Sequence, residues 1–426
     1  MRNKPAVLPF AFLAALIVAI AFLDSPRLAA AETSASSAAI ESLHDWMAKP
    51  RESRPELKDQ AFAAAALSKD QAEKARQMLW DDHLADLRAT REKEWKDEAI
   101  TIGSHTLRFK QRQFGDKPKE GWSLYISMHG GGNAPAEVND QQWENQIHLY
   151  TPKEGIYIAP RAPTNTWNLW HEGHIDDLYD RLLEDAFAVA DVNPNRVYIM
   201  GYSAGGDGVY QLAPRMADRW AAAAMMAGHP NDASPLGLRN IGFAIHVGAL
   251  DNGYNRNKVA GEWKQKLDDL HTADPKGYVH VVELHPGRGH WMEREDAVAV
   301  DWMAGFTRNP IPEKVVWKQA GTTHERFYWL AVPPKEAKGG SLAIVSREGQ
   351  KIEIEKAEGV THLVVMLNDA MLDLDKPVTI TMKGRELFKG VVPRTIGSLQ
   401  ATIAGRGDPF LTFSGAATVT LEEKAR

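Results

Sequence analysis

The Gly-Tyr-Ser-Ala-Gly sequence at residues 201–205 constrains the fold of this chain more than any other feature. It directly follows an apolar run, Val197–Met200, and precedes a helix-length segment. Glycines flank the serine because the turn from a strand into a helix leaves no room for larger side chains. Such a turn projects the serine oxygen above the sheet, at the positive end of the helix that follows. We therefore predict that Ser203 is a nucleophile.

Apolar runs alternate with helix-length segments on both sides of this turn. The runs are Ile100–Ile102, Thr106–Phe109, Leu124–Met128, Ile156–Ala159, Val197–Met200, Ala221–Met226, Ile241–Val247 and Val279–Leu284. This alternation predicts a mostly parallel sheet with helices on both faces. Sites in such sheets lie beyond the carboxyl ends of the strands, where we look for the partners of the serine.

A glycine-rich segment, His-Gly-Gly-Gly-Asn at residues 129–133, follows the strand predicted at Leu124–Met128. Cleavage of an ester or amide passes through a tetrahedral oxyanion, which unhindered backbone N–H groups stabilise. We predict that Gly131 and Ala204 donate these hydrogen bonds, with Gly132 as a further candidate.

A serine nucleophile needs a base and an acid that orients the base, and here we expect the chain order Ser, acid, His. Asp251 and His290 each follow a predicted strand closely. We choose His290 over His285 because glycines beside it permit a sharp loop. We choose Asp251 over Asp232, which lies one strand too early.

Aromatic and polar side chains on the same side of the sheet are candidates for substrate binding. They are His129, Asn133, Trp167, Trp170, His229 and Trp291. His171 and His174 have a weak metal-ligand spacing, but the predicted chemistry needs no metal, so we expect neither a metal nor a cofactor.

The two ends of the chain differ from the middle. Residues 1–31 have the charged start, apolar run and small-residue site of a secretory signal, with an uncleaved anchor as the alternative. Residues 32–98 predict a helical N-terminal extension packed against the main domain, 99–310 the catalytic domain, and 311–426 a sandwich-like β domain with short strands. We expect a periplasmic or secreted protein that is not inserted in a membrane after cleavage.

Composition excludes several classes of protein. The 426 residues carry a net charge of −6, which argues against a nucleic-acid partner. Cysteine is absent, so there is no disulfide, thiolate metal site or cysteine nucleophile.

With Ser203, Asp251, His290 and the glycine-rich segment in this order, residues 99–307 resemble the α/β-hydrolase superfamily. The resemblance is to exported bacterial esterases of the polyhydroxyalkanoate-depolymerase, feruloyl-esterase and dienelactone-hydrolase type, related to prolyl-oligopeptidase catalytic domains. It implies an α/β-hydrolase fold and a serine hydrolase acting on a small-molecule or polymer-linked ester. The alternatives are a peptidase of the prolyl-oligopeptidase type and an inactive binding protein on the same scaffold.

Overall fold

The computed structural model describes residues 26–421, which form two compact units. The larger unit comprises Leu87–Tyr328 and Lys338–Ile344. The smaller unit comprises the described residues up to Asp86, then Trp329–Ala337, and those from Val345 onward. The predicted signal peptide lies outside the described residues, apart from its last six positions, which begin a helix at Pro26. Within residues 26–421, no helix is long and apolar enough to cross a membrane.

An eight-stranded sheet forms the centre of the larger unit. Its strands are β1 (Ala99–Ile102), β2 (His105–Phe114), β3 (Trp122–Met128), β4 (Gly155–Arg161), β5 (Val192–Tyr202), β6 (Ala222–Met226), β7 (Gly242–Gly248) and β8 (His280–His285). The order across the sheet is β1-β2-β4-β3-β5-β6-β7-β8. β2 is antiparallel to β1 and β4, and the other neighbours are parallel. The predicted sheet is confirmed, and each predicted apolar run falls on one of these strands.

Between residues 26 and 310, two α-helices precede the sheet in the chain, four lie between its strands and one follows β8. The helices are α1 (Pro26–Met47), α2 (Lys69–Lys96), α3 (Ala136–Gln146), α4 (His174–Val189), α5 (Ala204–Arg215), α6 (Arg256–Ala273) and α7 (Val298–Ala304). Every residue of β3, β4, β6 and β7 is buried, as expected for parallel strands covered on both faces. The edge strand β8 is buried only at its last residue.

The larger unit continues past the boundary predicted at residue 310. It includes β9 (Lys314–Lys318) and β10 (Arg326–Phe327), and it ends its main segment at Tyr328. The backbone N–H of Tyr328 donates to the Asp218 carboxylate over 3.0 Å, and its hydroxyl donates to the Ala217 carbonyl over 3.0 Å. These long-range hydrogen bonds tie residues after the proline-rich joint to the end of α5.

The smaller unit contains the predicted additional β structure. The elements after residue 328 are β11 (Leu330–Ala331), β12 (Leu342–Glu348), β13 (Lys351–Glu358), β14 (His362–Leu367), β15 (Val378–Met382), β16 (Arg385–Gly390), α8 (Ile396–Arg406) and β17 (Gly415–Thr420). All of them belong to the smaller unit except the first three residues of β12. β14 pairs antiparallel with β11 and β17, whereas β15 pairs parallel with β13 and antiparallel with β16. No sequence pattern predicted α8.

The N-terminal helices share a hydrophobic core with α8. Leu43 of α1 and Leu79 of α2 are buried in the same cluster as Ile403 of α8. The sequence pattern predicts that residues 32–98 are an extension packed against the catalytic domain. Most of them instead belong to the smaller unit, because α8 provides an apolar partner that was not expected.

Candidate active site

The turn between β5 and α5 holds Ser203 in a strained backbone conformation. Ser203 has φ +57° and ψ −120°, a region that non-glycine residues seldom occupy. A Cβ on Gly205 would lie 2.1 Å from the Met128 carbonyl oxygen, and one on Gly201 would lie 2.3 Å from the carbonyl oxygen of Gly205. The two glycines are therefore required, because the turn packs directly against its own backbone and against the end of β3.

Ser203, His290 and Asp251 form one line of hydrogen bonds. The distance from His290 Nε2 to Ser203 Oγ is 2.9 Å, and from His290 Nδ1 to Asp251 Oδ2 it is 2.7 Å. The Asp251 side chain is 3 % exposed and that of His290 is 44 % exposed. With Nδ1–H donating to the carboxylate, Nε2 presents its lone pair to the serine hydroxyl. This arrangement allows His290 to take the proton of Ser203.

The loops after β7 and β8 bind each other, and this contact brings the acid to the base. The Ala249 N–H donates to the His285 carbonyl over 2.9 Å, and the Leu250 N–H donates to the Arg288 carbonyl over 2.8 Å. A Cβ on Gly248 would lie 2.0 Å from the carbonyl oxygen of Gly289. The close backbone approach therefore requires glycine at position 248, whereas Gly287, near His290, has a φ of +73° that favours glycine.

Tyr202 is a supporting residue that the sequence analysis missed. Its hydroxyl donates to the His290 carbonyl over 2.6 Å and accepts from the Met292 N–H over 3.0 Å. Both partners lie about 90 residues further along the chain, so nothing local distinguished this tyrosine from the other residues of the serine turn.

Three features together define the architecture: the strand order, the strained serine turn after β5, and the chain order Ser, Asp, His after β5, β7 and β8. The chain has the α/β-hydrolase fold.

The glycine-rich loop of this hydrolase fold passes directly beside the serine. A Cβ on Gly130 would lie 3.1 Å from Ser203 Cβ. Gly131 has φ +107°, and within residues 26–421 its N–H makes no hydrogen bond. Ala204 is the first residue of α5, where N–H groups have no acceptor within the helix. The expected donors Gly131 and Ala204 therefore lie on the two segments closest to Ser203.

Gly132 differs from this expectation. Its N–H donates to Asn139 Oδ1 over 2.8 Å. Asn139 is buried and donates in turn to Asn165 Oδ1 over 3.0 Å. The Gly132 N–H is thus occupied in shaping the loop and is not available to an oxyanion, which corrects the sequence-based assignment.

His129 and Trp170 support the glycine-rich loop from beneath and do not face a substrate. His129 is fully buried; its Nδ1 donates to the Gly130 carbonyl over 2.5 Å and its Nε2 accepts from the Ala162 N–H over 3.1 Å. Burial lowers the pKa of His129 to about 4. The buried Trp170 indole donates to the His129 carbonyl over 2.9 Å. We had expected both side chains to bind substrate, but burial and satisfied hydrogen bonds assign them to positioning the loop.

The other candidates for substrate binding are more accessible. Trp167 is 59 % exposed and Trp291 is 50 % exposed, and Asn133 is also exposed. The Trp291 ring centre lies 5.6 Å from that of Tyr202. His229 is partly buried, and its backbone N–H donates to Asp207 Oδ1 over 2.6 Å. Contact of these four side chains with a substrate stays a prediction.

The alternative acid and base lie elsewhere. Asp232 accepts a hydrogen bond from Gln211 over 2.9 Å, and His285 Nε2 lies 3.1 Å from His246 Nδ1. His171 and His174, the weak metal candidates, point to different neighbours: His171 contacts Trp167 edge-on, and His174 stacks on His105 with ring centres 3.8 Å apart.

Comparisons with solved structures find matches that cover about half of this chain. No family model and no curated protein matches the sequence. Esterase PE8 is 16 % identical over 47 % of this chain and 99 % of its own, with a TM-score of 0.35. A poly(3-hydroxybutyrate) depolymerase from Bordetella parapertussis is 14 % identical over 48 % of this chain and 86 % of its own, with a TM-score of 0.36. Dipeptidyl peptidase 4 from Porphyromonas gingivalis is 12 % identical over 49 % of this chain and 35 % of its own, with a TM-score of 0.36.

Proposed function

We propose that this protein is a serine hydrolase that cleaves carboxylic esters, with Ser203, His290 and Asp251 as its catalytic residues. One observation carries the proposal: a continuous line of hydrogen bonds runs from a buried carboxylate through an imidazole to a serine held in a strained turn. A serine with an ordinary structural role requires neither the strained backbone nor the histidine.

In the first half of the reaction, Ser203 Oγ attacks the acyl carbon of the ester while His290 Nε2 accepts its proton. The Asp251 carboxylate stabilises the imidazolium that results. The negative charge on the former carbonyl oxygen is bound by the N–H groups of Gly131 and Ala204. Collapse of the tetrahedral intermediate breaks the ester bond, and His290 gives its proton to the departing alcohol oxygen.

In the second half, water enters and His290 takes one of its protons. The hydroxide attacks the acyl carbon of the Ser203 ester, the same two N–H groups bind the new oxyanion, and the carboxylic acid leaves as Ser203 regains its proton. The high exposure of His290 favours this step, because water can reach the base directly.

An ester is a better-supported substrate than a peptide. Peptidases of the prolyl-oligopeptidase type restrict access with a large β-propeller. Residues 26–98, which precede the sheet, consist of helices α1 and α2 with short 3₁₀ turns between them. Two exposed tryptophans and an exposed base suit an accessible small-molecule or polymer-linked ester. With residues 1–31 as a signal peptide, the protein would act in the periplasm or outside the cell.

An active-site probe and a substrate panel test the proposal. We expect a fluorophosphonate to label the wild type, with labelling lost in Ser203→Ala and retained in the control Ser234→Ala. Hydrolysis of p-nitrophenyl esters should fall at least ~10³-fold in Ser203→Ala. A wild type that resists the probe would refute a serine hydrolase. Fast cleavage of aminoacyl p-nitroanilides with negligible ester turnover would assign the protein to the peptidases, and binding of a polymer without any turnover would assign it to binding proteins.

A further inference from the structure

A second cluster of reactive side chains lies on the last two strands of the sheet. β7 and β8 are parallel, and their register places His246 beside Glu283, with His285 two residues further along β8. Within the described part of the chain, this is the only group of three or more histidine and carboxylate side chains close enough to hold a metal ion. Their ligand atoms lie within 4.8 Å of one another. The mechanism proposed above uses none of them.

The distances in the cluster fit a tetrahedral metal. A tetrahedral zinc with bonds of about 2.0–2.1 Å holds its ligand atoms about 3.3 Å apart. His246 Nδ1 lies 3.1 Å from His285 Nε2 and 3.8 Å from the nearer Glu283 oxygen. These two separations lie within about 0.5 Å of the tetrahedral spacing, and all three ligand atoms lie within 4.8 Å of one another.

The ring of His285 is already oriented for binding. Its Nδ1 lies 3.3 Å from a Glu295 oxygen, which keeps the hydrogen on Nδ1 and leaves the Nε2 lone pair toward His246. Glu295 is itself fixed by hydrogen bonds of 2.8 and 2.6 Å from the Arg288 guanidinium. A carboxylate behind a histidine is the usual outer partner of a metal-bound imidazole.

We propose that His246, Glu283 and His285 bind one divalent transition-metal ion of the zinc type, with water in the fourth position. Two imidazoles and one carboxylate suit zinc, whereas calcium and magnesium prefer oxygen ligands throughout. When the ion binds, the hydrogen between the two rings moves from His246 Nδ1 to His246 Nε2, so that the Nδ1 lone pair can bind the metal.

The ion would strengthen the loops that carry the acid and the base. The His285 carbonyl accepts from the Ala249 N–H, and the neighbouring bond joins Leu250 to Arg288. These residues lead directly to Asp251 and His290. β8 is an edge strand with one neighbour in the sheet. A metal ion bound by side chains of both β7 and β8 would therefore hold β8 more firmly in register.

The test uses the full mature chain without a polyhistidine tag, stripped of metal and then dialysed against micromolar zinc. We expect about one zinc per chain by elemental analysis, a higher Tm with zinc than with magnesium, and visible absorption bands of tetrahedral cobalt after substitution. Glu283→Gln is exposed enough to fold normally and should weaken zinc binding at least ~10-fold. His280→Gln is the matched control, because His280 lies on the same strand but hydrogen-bonds the Tyr278 carbonyl and Asp268, which are outside the cluster.

The outcomes separate this site from the proposed esterase activity. Zinc retention lost in Glu283→Gln and kept in His280→Gln supports the site. A wild type that retains no zinc after dialysis overturns it, as does equal retention in wild type and Glu283→Gln, or equal loss in both variants. None of these results depends on ester turnover, so the metal site can fail while the hydrolase assignment stands.

Discussion

Burial of the Asp207 carboxyl should make the larger unit less stable at neutral pH than an asparagine variant. Asp207 lies one turn into α5, where its Oδ1 accepts from the His229 N–H over 2.6 Å. Burial raises its pKa from the ordinary 3.8 to about 6, against smaller opposing effects of this hydrogen bond and of Arg256. Folding therefore favours the protonated form of the carboxyl.

The raised pKa of Asp207 determines the direction and size of the change in stability with pH. Below pH 3.8 the carboxyl is protonated in both the folded and the unfolded chain, so the stability it contributes is fully present. As the pH rises through 6 the folded chain must ionise a buried group, and that stability is lost. A rise in pKa from 3.8 to about 6 corresponds to a loss of about 3 kcal/mol, at 1.36 kcal/mol per pKa unit.

Asp207→Asn removes the titration but keeps an oxygen for the His229 N–H. We expect the free energy of unfolding of this variant, relative to wild type, to increase by about 2 kcal/mol between pH 4 and pH 7. Urea unfolding followed by tryptophan fluorescence at pH 4, 5, 6 and 7 measures the difference. The exposed Asp269→Asn is the control and should stay within about 0.5 kcal/mol of wild type throughout. A difference between Asp207→Asn and wild type that does not vary with pH would refute the reasoning.

Three other substitutions test the site. Asp251→Asn should fold normally and lower kcat for a p-nitrophenyl ester by roughly 10³–10⁴, through loss of the oriented imidazole; near-normal kcat would show that another group orients the base. Gly205→Ala places a Cβ 2.1 Å from a backbone oxygen and should destabilise the protein by at least about 3 kcal/mol. Its control is Gly261→Ala on α6, where the added Cβ has open space and should stabilise the protein by about 0.5–1 kcal/mol. Similar Tm values for the two variants would contradict the packing argument. Tyr202→Phe should cost about 1–3 kcal/mol by leaving a buried N–H unpaired, and should lower kcat with little change in KM; an unchanged Tm would contradict this.

Local sequence patterns were sufficient to predict the sheet and the three residues of the hydrogen-bonded line. The strands β3, β4, β6 and β7, which are buried throughout, contain mostly apolar residues, because strands covered on both faces need apolar side chains on both. Ser203, Asp251 and His290 each follow an apolar run, and the carboxyl ends of parallel strands converge at one edge. Their positions along the chain therefore predict that they lie close together before any distance is known.

Contacts between distant residues decided the rest. The Gly132 N–H is taken by Asn139, and His129 is held by Ala162 and Trp170, so residues that look equally available in the glycine-rich segment have different roles. Composition alone could not distinguish these residues. Whether a polar group contacts a substrate or a backbone atom depends on which distant segments pack against it.

The same limit applies to the partners of whole elements. The sequence by itself determined the strands of the eight-stranded sheet, but not helix α8, because hydrophobic periodicity and turn residues act over a few neighbouring positions. Only the tertiary structure decided that Leu43 shares a core with Ile403, or that His246 and His285 come within 3.1 Å. Those contacts join segments from 39 to 360 residues apart, and the apolar face of a helix indicates that it packs against something but not which partner it packs against.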